Sequence, residues 1–171
     1  LNPWLMGCQY SGDFLAKSAA TTTDSTPAGF GQGGQSWTAR TLPSSSTWQS
    51  VTYGNGIFVA VASGPSTVAA TSPDGITWTG RTLPSSNAWM SVTYGNGTFV
   101  AVAAGPSTVA ATSPDGVTWT GRSLPSNDAW SSVTYGNGIF VAISASLGTV
   151  AATSPDGVTW TARTLPNSGW Q

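Results

Sequence analysis

Only a few side chains in this sequence could move a proton, hold a metal or clamp an anion. There are five Lys and Arg and six Asp, with no His and no Glu. Their spacing is more telling than their number. Arg40, Arg81, Arg122 and Arg163 stand 41 residues apart, and Asp74, Asp115 and Asp156 keep the same step. Residues repeated at a fixed step occupy one structural position several times, whereas an active site gathers different positions around one point. Outside that pattern only Asp13, Lys17, Asp24 and Asp128 remain. General acid–base catalysis needs a titratable group poised in a pocket, usually with a partner. Without His there is no His-based triad and no His metal site, and a paired-carboxylate glycosidase could draw only on Asp. The Asp-Gly turns offer one carboxylate each, against the roughly six to eight oxygens Ca²⁺ takes. The expectation is a protein that is not an enzyme, with no cofactor and no metal site.

Cys8 is the single cysteine, which excludes an internal disulfide and a thiolate metal cluster. Leu5-Met6-Gly7-Cys8 looks like a lipoprotein attachment box, but the four residues before it supply neither a charged start nor an apolar h-region. A buried or idle thiol is expected instead. Charged residues make up 6% of the chain and the net charge is −1, which excludes the basic footprint of a nucleic-acid binder. No basic amphipathic stretch suits a membrane surface, and no run of about 18 apolar residues would insert in one. Hydroxyls and amides must solvate this surface, a composition that suits an extracellular or virion-exposed protein.

The elements that carry the charges are themselves repeated. Val51-Thr52-Tyr53-Gly54-Asn55-Gly56 returns at Val92 and at Val133, and Ser72-Pro73-Asp74-Gly75-Ile76-Thr77-Trp78 returns with its Trp at Trp119 and Trp160. Each copy reads as four short strands. Trp48–Tyr53 alternates, with Val51 and Tyr53 on one face and Trp48, Ser50 and Thr52 on the other. Gly54-Asn55-Gly56 is a tight hairpin signal. Ile57–Ala62 is apolar on both faces, as in a strand sandwiched between layers. Thr67–Thr71 follows, then a Pro-Asp-Gly turn, then Ile76–Thr82. Four strands in about 40–45 residues is the spacing of a β-propeller blade. The fold expected is all-β, three full four-stranded antiparallel blades at about 48–84, 89–125 and 130–166, with a partial blade at 36–43, in a repeat domain spanning 36–171. Residues 1–17 read as an apolar arm or degenerate strand segment, and 18–35 as a Thr/Gly/Ser-rich linker.

The Ser-Pro-Asp-Gly-x-Thr-Trp block resembles the Asp-box of bacterial neuraminidase-repeat propellers, with one residue fewer between Asp and Gly. Together with Val-Thr-Tyr-Gly-Asn-Gly-x-Phe-Val-Ala it is similar to repeats of bacterial surface proteins and phage tail or fibre proteins. The resemblance covers about Trp37 to Pro166. It implies a structural role for Asp74, Asp115, Asp156 and for Trp78, Trp119, Trp160, on a hairpin away from any ligand face. Sialidases place three arginines, a Tyr–Glu pair and an Asp around their substrate, and this chain has no Glu. Arg81, Arg122 and Arg163 are therefore expected to cap or pair locally, the Asp of a box being one candidate partner.

Comparing the copies with one another locates the candidate binding surface. The Gly-Asn-Gly and Pro-Asp-Gly turns never change. Gly64-Pro65-Ser66 and Gly105-Pro106-Ser107 become Ser146-Leu147-Gly148, and the inter-blade linkers also vary. In an up-down blade the second hairpin and the linker lie at one end, so varied segments share a face. Loops on a rigid scaffold commonly carry function. The candidate binding residues are Asn87, Asn127 and Asp128, with Gln49 and Met90 at the neighbouring strand position. Three blades do not close a ring: residues 1–47 could add a fourth, other subunits could share the ring, or an open stack could sit in an assembly. The reading is a structural or glycan- or receptor-binding module on a phage virion or bacterial surface, partnered by subunits of an assembly or by its own copies. The alternatives are a secreted multivalent lectin and a degenerate glycosidase relative.

Overall fold

A computed structural model describes residues 38–145 and 149–166, within one compact unit running from Thr38 to Gln171. The expected apolar arm, the linker, Cys8, Lys17 and Ser146-Leu147-Gly148 lie outside the described residues. Ten strands follow one another: β1 (Thr47–Gly54), β2 (Ile57–Ser63), β3 (Ser66–Ser72), β4 (Thr79–Gly95), β5 (Thr98–Ala104), β6 (Pro106–Ser113), β7 (Thr120–Gly136), β8 (Ile139–Ser144), β9 (Val150–Ser154) and β10 (Thr161–Thr164). Each pairs antiparallel with the next, and the order in the sheet is the order in the chain. The tight turns come from local chemistry. Asn55, Asn96 and Asn137 adopt φ of 48°, 46° and 49°, and the following Gly56, Gly97 and Gly138 are also left-handed. Asn-Gly tolerates that pair of conformations and so matches the twist of the flanking strands.

The two 17-residue strands divide along their length between two neighbours. Thr79 to Asn87 of β4 pairs with β3, and Ala88 to Gly95 pairs with β5. β7 divides in the same way between β6 and β8. The ladder thus divides at β4 and β7 into successive stretches, or units (β1 to Asn87, Ala88 to Ala129 and Trp130 to β10), that pack face on face. Val59, Val61 and Ala69 of the first meet Trp89, Val92, Phe99, Ala101 and Ala111 of the second. Val100, Val102 and Ala110 then meet Trp130, Val133, Phe140, Ala142 and Ala152 of the third. β5 is buried on both faces because a unit lies on each side, which is why its sequence is apolar without alternation, whereas β2 has a unit packed on one face and keeps Phe58 half-buried.

The structure corrects three expectations. The linkers Ser85–Ala88 and Ser126–Ala129 are not loops but the middles of the 17-residue strands β4 and β7. Strand pairing continues through them, Asn87 opposite Ser66 and Asp128 opposite Ser107. The strict alternation read over Trp48–Tyr53 is broken by an irregularity between Trp48 and Ser50, repeated between Trp89 and Ser91 and between Trp130 and Ser132. An extra residue reverses the phase of a strand, so Trp89 and Val92 enter the same core rather than opposite faces. Finally, within the partial blade expected at 36–43, residues 38–43 form no strand. Fourth segments pair with third ones about twelve residues earlier, as Arg81 does with Ala69, and the corresponding partner of Arg40 lies outside the described residues.

Candidate functional site

The repeated Asp and Arg residues are built into hairpins. Ser72 Oγ donates to Asp74 Oδ1 at 3.0 Å and accepts the Gly75 N–H at 2.8 Å. Asp74 Oδ1 accepts the N–H groups of Ile76 (2.8 Å) and Thr77 (2.9 Å). Trp78 Nε1 closes the turn on Gly75 O at 3.2 Å. The carboxylate bonds recur at Asp115, to Val117 and Thr118, and at Asp156, to Val158 and Thr159. Trp119 and Trp160 likewise donate to Gly116 O and Gly157 O. The N–H groups of Thr77 and Ile76 hold the Asp74 carboxyl below its ordinary value of 3.8. Thr118 and Val117 do the same for Asp115, and Thr159 and Val158 for Asp156. A carboxylate that accepts several backbone N–H bonds stays ionised. A group so held is a turn-former and a poor proton donor near neutral pH.

The arginines do not take the box Asp as partner. Arg81 Nε donates to Thr71 Oγ1 at 2.9 Å, Arg122 to Thr112 at 3.0 Å and Arg163 to Thr153 at 3.0 Å. Residues directly cross-strand are closer than any turn residue: Arg81 lies opposite Ala69, two positions from Thr71 on β3. The carboxylate is meanwhile turned back into its own hairpin. Sequence reasoning missed this threonine, which recurs at 71, 112 and 153 and was visible as part of the repeat.

The five candidate binding residues fall near one end of the strands. Asn87 and Asp128 occupy equivalent places in the middle of β4 and β7, beside the beginnings of β3's and β6's ladders. Asn87 Nδ2 donates to Ser85 Oγ at 2.9 Å. Asp128 Oδ1 accepts the Ala129 N–H at 2.9 Å and the Ser144 hydroxyl at 2.5 Å. Asn127 is exposed and Met90 half-buried. Gln49 and Met90 are the extra residues at the strand irregularities. Such a bulge re-aims a side chain. The structure therefore brings Asn87 to Ser85 and Asp128 to Ser144. The bond of Asn87 stays within its own unit, whereas Asp128 of the second unit reaches Ser144 of the third. Gln49 borders a hollow of about 270 Å³, with Leu42, Trp48, Ser50, Val51, Ala60 and Trp78. The opposite end carries the fixed turns: Asn96 Nδ2 reaches Pro155 O of the next unit at 3.5 Å.

No family model and no curated protein sequence matches the chain. Solved structures do resemble it. Virginiamycin B lyase from Staphylococcus aureus superposes with a TM-score of 0.65 at 13% identity, over 74% of this chain and 44% of that one. A streptogramin B lyase gives 0.61 at 14%, over 72% and 42%. YCF48 bound to D1 peptide gives 0.59 at 20%, over 80% and 46%. The chain thus spans less than half the length of each of these structures. At such identity the likeness concerns the fold alone: the chain is all-β and antiparallel, with a propeller-like repeat.

Proposed function

We propose that the chain is a non-enzymatic propeller module of three four-stranded blades at a 41-residue period, displayed outside the cell on a virion or bacterial surface. Its hairpins are of the Asp-box kind. It serves either as a structural part of an assembly, together with other subunits or its own copies, or as a binder of a glycan or surface receptor through the end that carries Gln49, Asn87, Met90, Asn127 and Asp128. One observation carries this reading. In every repeat the Asp is held by backbone N–H groups and the Arg by a threonine hydroxyl, so the charges that could clamp or protonate a substrate are occupied in shaping hairpins. What varies between repeats lies at the other end, in Ser-, Asn- and Asp-bearing segments with a bulged strand beside them, a chemistry suited to hydroxyl-rich ligands.

A glycan array probed with the purified protein tests this. A dose-dependent hit supports the glycan-binding form. Silence, with oligomers seen by light scattering, supports the structural form. Hydrolysis of a sialoside reporter overturns the non-enzymatic reading.

A further inference from the structure

The interface between successive units repeats, so its two halves can be recognised where they are left open. Three locks define it. Tyr94 lies over Gly54 and Tyr135 over Gly95, so closely that a Cβ on either glycine would stand 2.0 Å from the ring. Ser50 Oγ accepts the Val92 N–H and Ser91 Oγ the Val133 N–H, both at 3.1 Å. Val59 packs on Gly116 and Val100 on Gly157, where an added Cβ would come within 2.7 and 2.5 Å. One step back from the first set, Tyr53 is 58% exposed and Val51 60%, although Val92 and Val133 are each 5% exposed. One step forward from the last set, a Cβ on Gly136 would meet nothing within 4 Å among the described residues. Ser132 is exposed there, and Ile143 is 39% exposed where its counterparts Val61 and Val102 are fully buried.

We infer that the open face of the first unit (Trp48, Val51, Tyr53 and Gly75) binds the open face of the third unit (Ser132, Gly136, Val141 and Ile143) of a second copy of this chain, head to tail. Tyr53 then seats on Gly136, Ser132 accepts the Val51 N–H, and Val141 packs on Gly75, each contact continuing one already made twice inside the chain. This deepens the assembly role proposed above and rests on it only for its biological setting. The chain's own amino-terminal segment does not fit the same seats by sequence. Asp13 stands where the seating glycine is required, Gln9 where the serine is, and Ser18 where the valine is. A contact between two different faces closes into a ring or grows into a filament.

The test uses residues 1–171, with the mass followed by light scattering and native mass spectrometry over a dilution series. Self-association is expected. Gly136→Ala leaves the monomer's fold intact, since its Cβ enters open space, yet blocks the Tyr53 seat and weakens association at least about tenfold. Val51→Asp, at an exposed site, blocks the other face. Neither variant alone has a competent pair of faces, but a mixture has one, so a 1:1 heterodimer is expected on mixing. A wild-type monomer at every concentration overturns the inference, whether the faces are bare or covered by residues 1–37. Oligomers indifferent to Gly136→Ala, or no heterodimer on mixing, also overturn it. Glycan binding by a protein that stays monomeric leaves the ligand reading standing while this one fails.

Discussion

Replacing Ser154 by Ala isolates the box hairpin from everything else in the molecule. Ser154 is fully buried, and its hydroxyl does three things. It donates to Asp156 Oδ1 at 2.9 Å and accepts the N–H groups of Gly157 at 2.8 Å and Asp156 at 3.3 Å. Removing it strands the buried Gly157 N–H and takes one donor from a carboxylate that already organises Val158 and Thr159. A buried donor without a partner costs about 1–3 kcal/mol. No compensating packing is lost, since Ser to Ala removes a single atom. For a chain of this size each kcal/mol moves the melting temperature by about 2–4 °C, so a 2 kcal/mol loss appears as a fall of roughly 4–8 °C. Thermal melts at several protein concentrations keep any self-association from entering the difference. A shift under about 1 °C would show that the hydroxyl does not hold the hairpin. Unchanged stability with loss of ligand binding would move the box from scaffold to binding surface and refute the reasoning.

The carboxylates add a pH signature. Asp74, Asp115 and Asp156 sit below their ordinary 3.8 when folded, so their contribution is complete above the unfolded value and is lost as pH falls through the folded ones. Stability should drop below about pH 3.8 in the wild type, and Asp115→Asn should flatten that drop in acid denaturation curves. Arg122→Ala removes one bond to Thr112 from a half-buried side chain, and denaturant titration should register about 0.5–1.5 kcal/mol with no change in ligand binding. Trp89→Ala empties a fully buried site and also abandons Nε1–H to Ser85 O; a loss of about 3–5 kcal/mol is expected.

How much of this was legible in the sequence depends on the range of the physics involved. The hairpins were, because Asn-Gly and Pro-Asp-Gly fix their own backbone within four residues. The apolar run Ile57–Ala62 was read as sandwiched, which holds for its counterpart in β5, where burial on both faces erases alternation, while β2 itself has a packed unit on one face only. The bulge was not legible. Gln49, Met90 and Ser131 share a position but no residue type, and nothing local announces that an extra residue has been admitted between Trp48 and Ser50. The linkers were misjudged because Ser-, Asn- and Pro-containing segments read as loops, whereas the ladder from β3 holds Asn87 extended. The arginine partner was misassigned because opposite charge was weighed above register. The candidate binding residues Asn87 and Asp128 hold equivalent positions in β4 and β7, so the repeat spreads them over successive units. The open faces could be seen only in space. Tyr53 and Tyr94 are the same residue in the same motif, and only packing shows that Tyr94 has a glycine beneath it and Tyr53 does not.

The account divides the molecule into a charged, invariant end that makes the fold and a variable end that makes contacts. Two triple variants set these ends against each other: Arg81, Arg122 and Arg163 to Ala, and Asn87, Asn127 and Asp128 to Ala. Binding of each to a ligand recovered from the array, measured by surface plasmon resonance beside the wild type, is the direct comparison. Retained affinity in the arginine variant with at least tenfold loss in the Asn/Asp variant is the predicted result. The reverse pattern, with the arginine variant folded but unable to bind, would contradict the account.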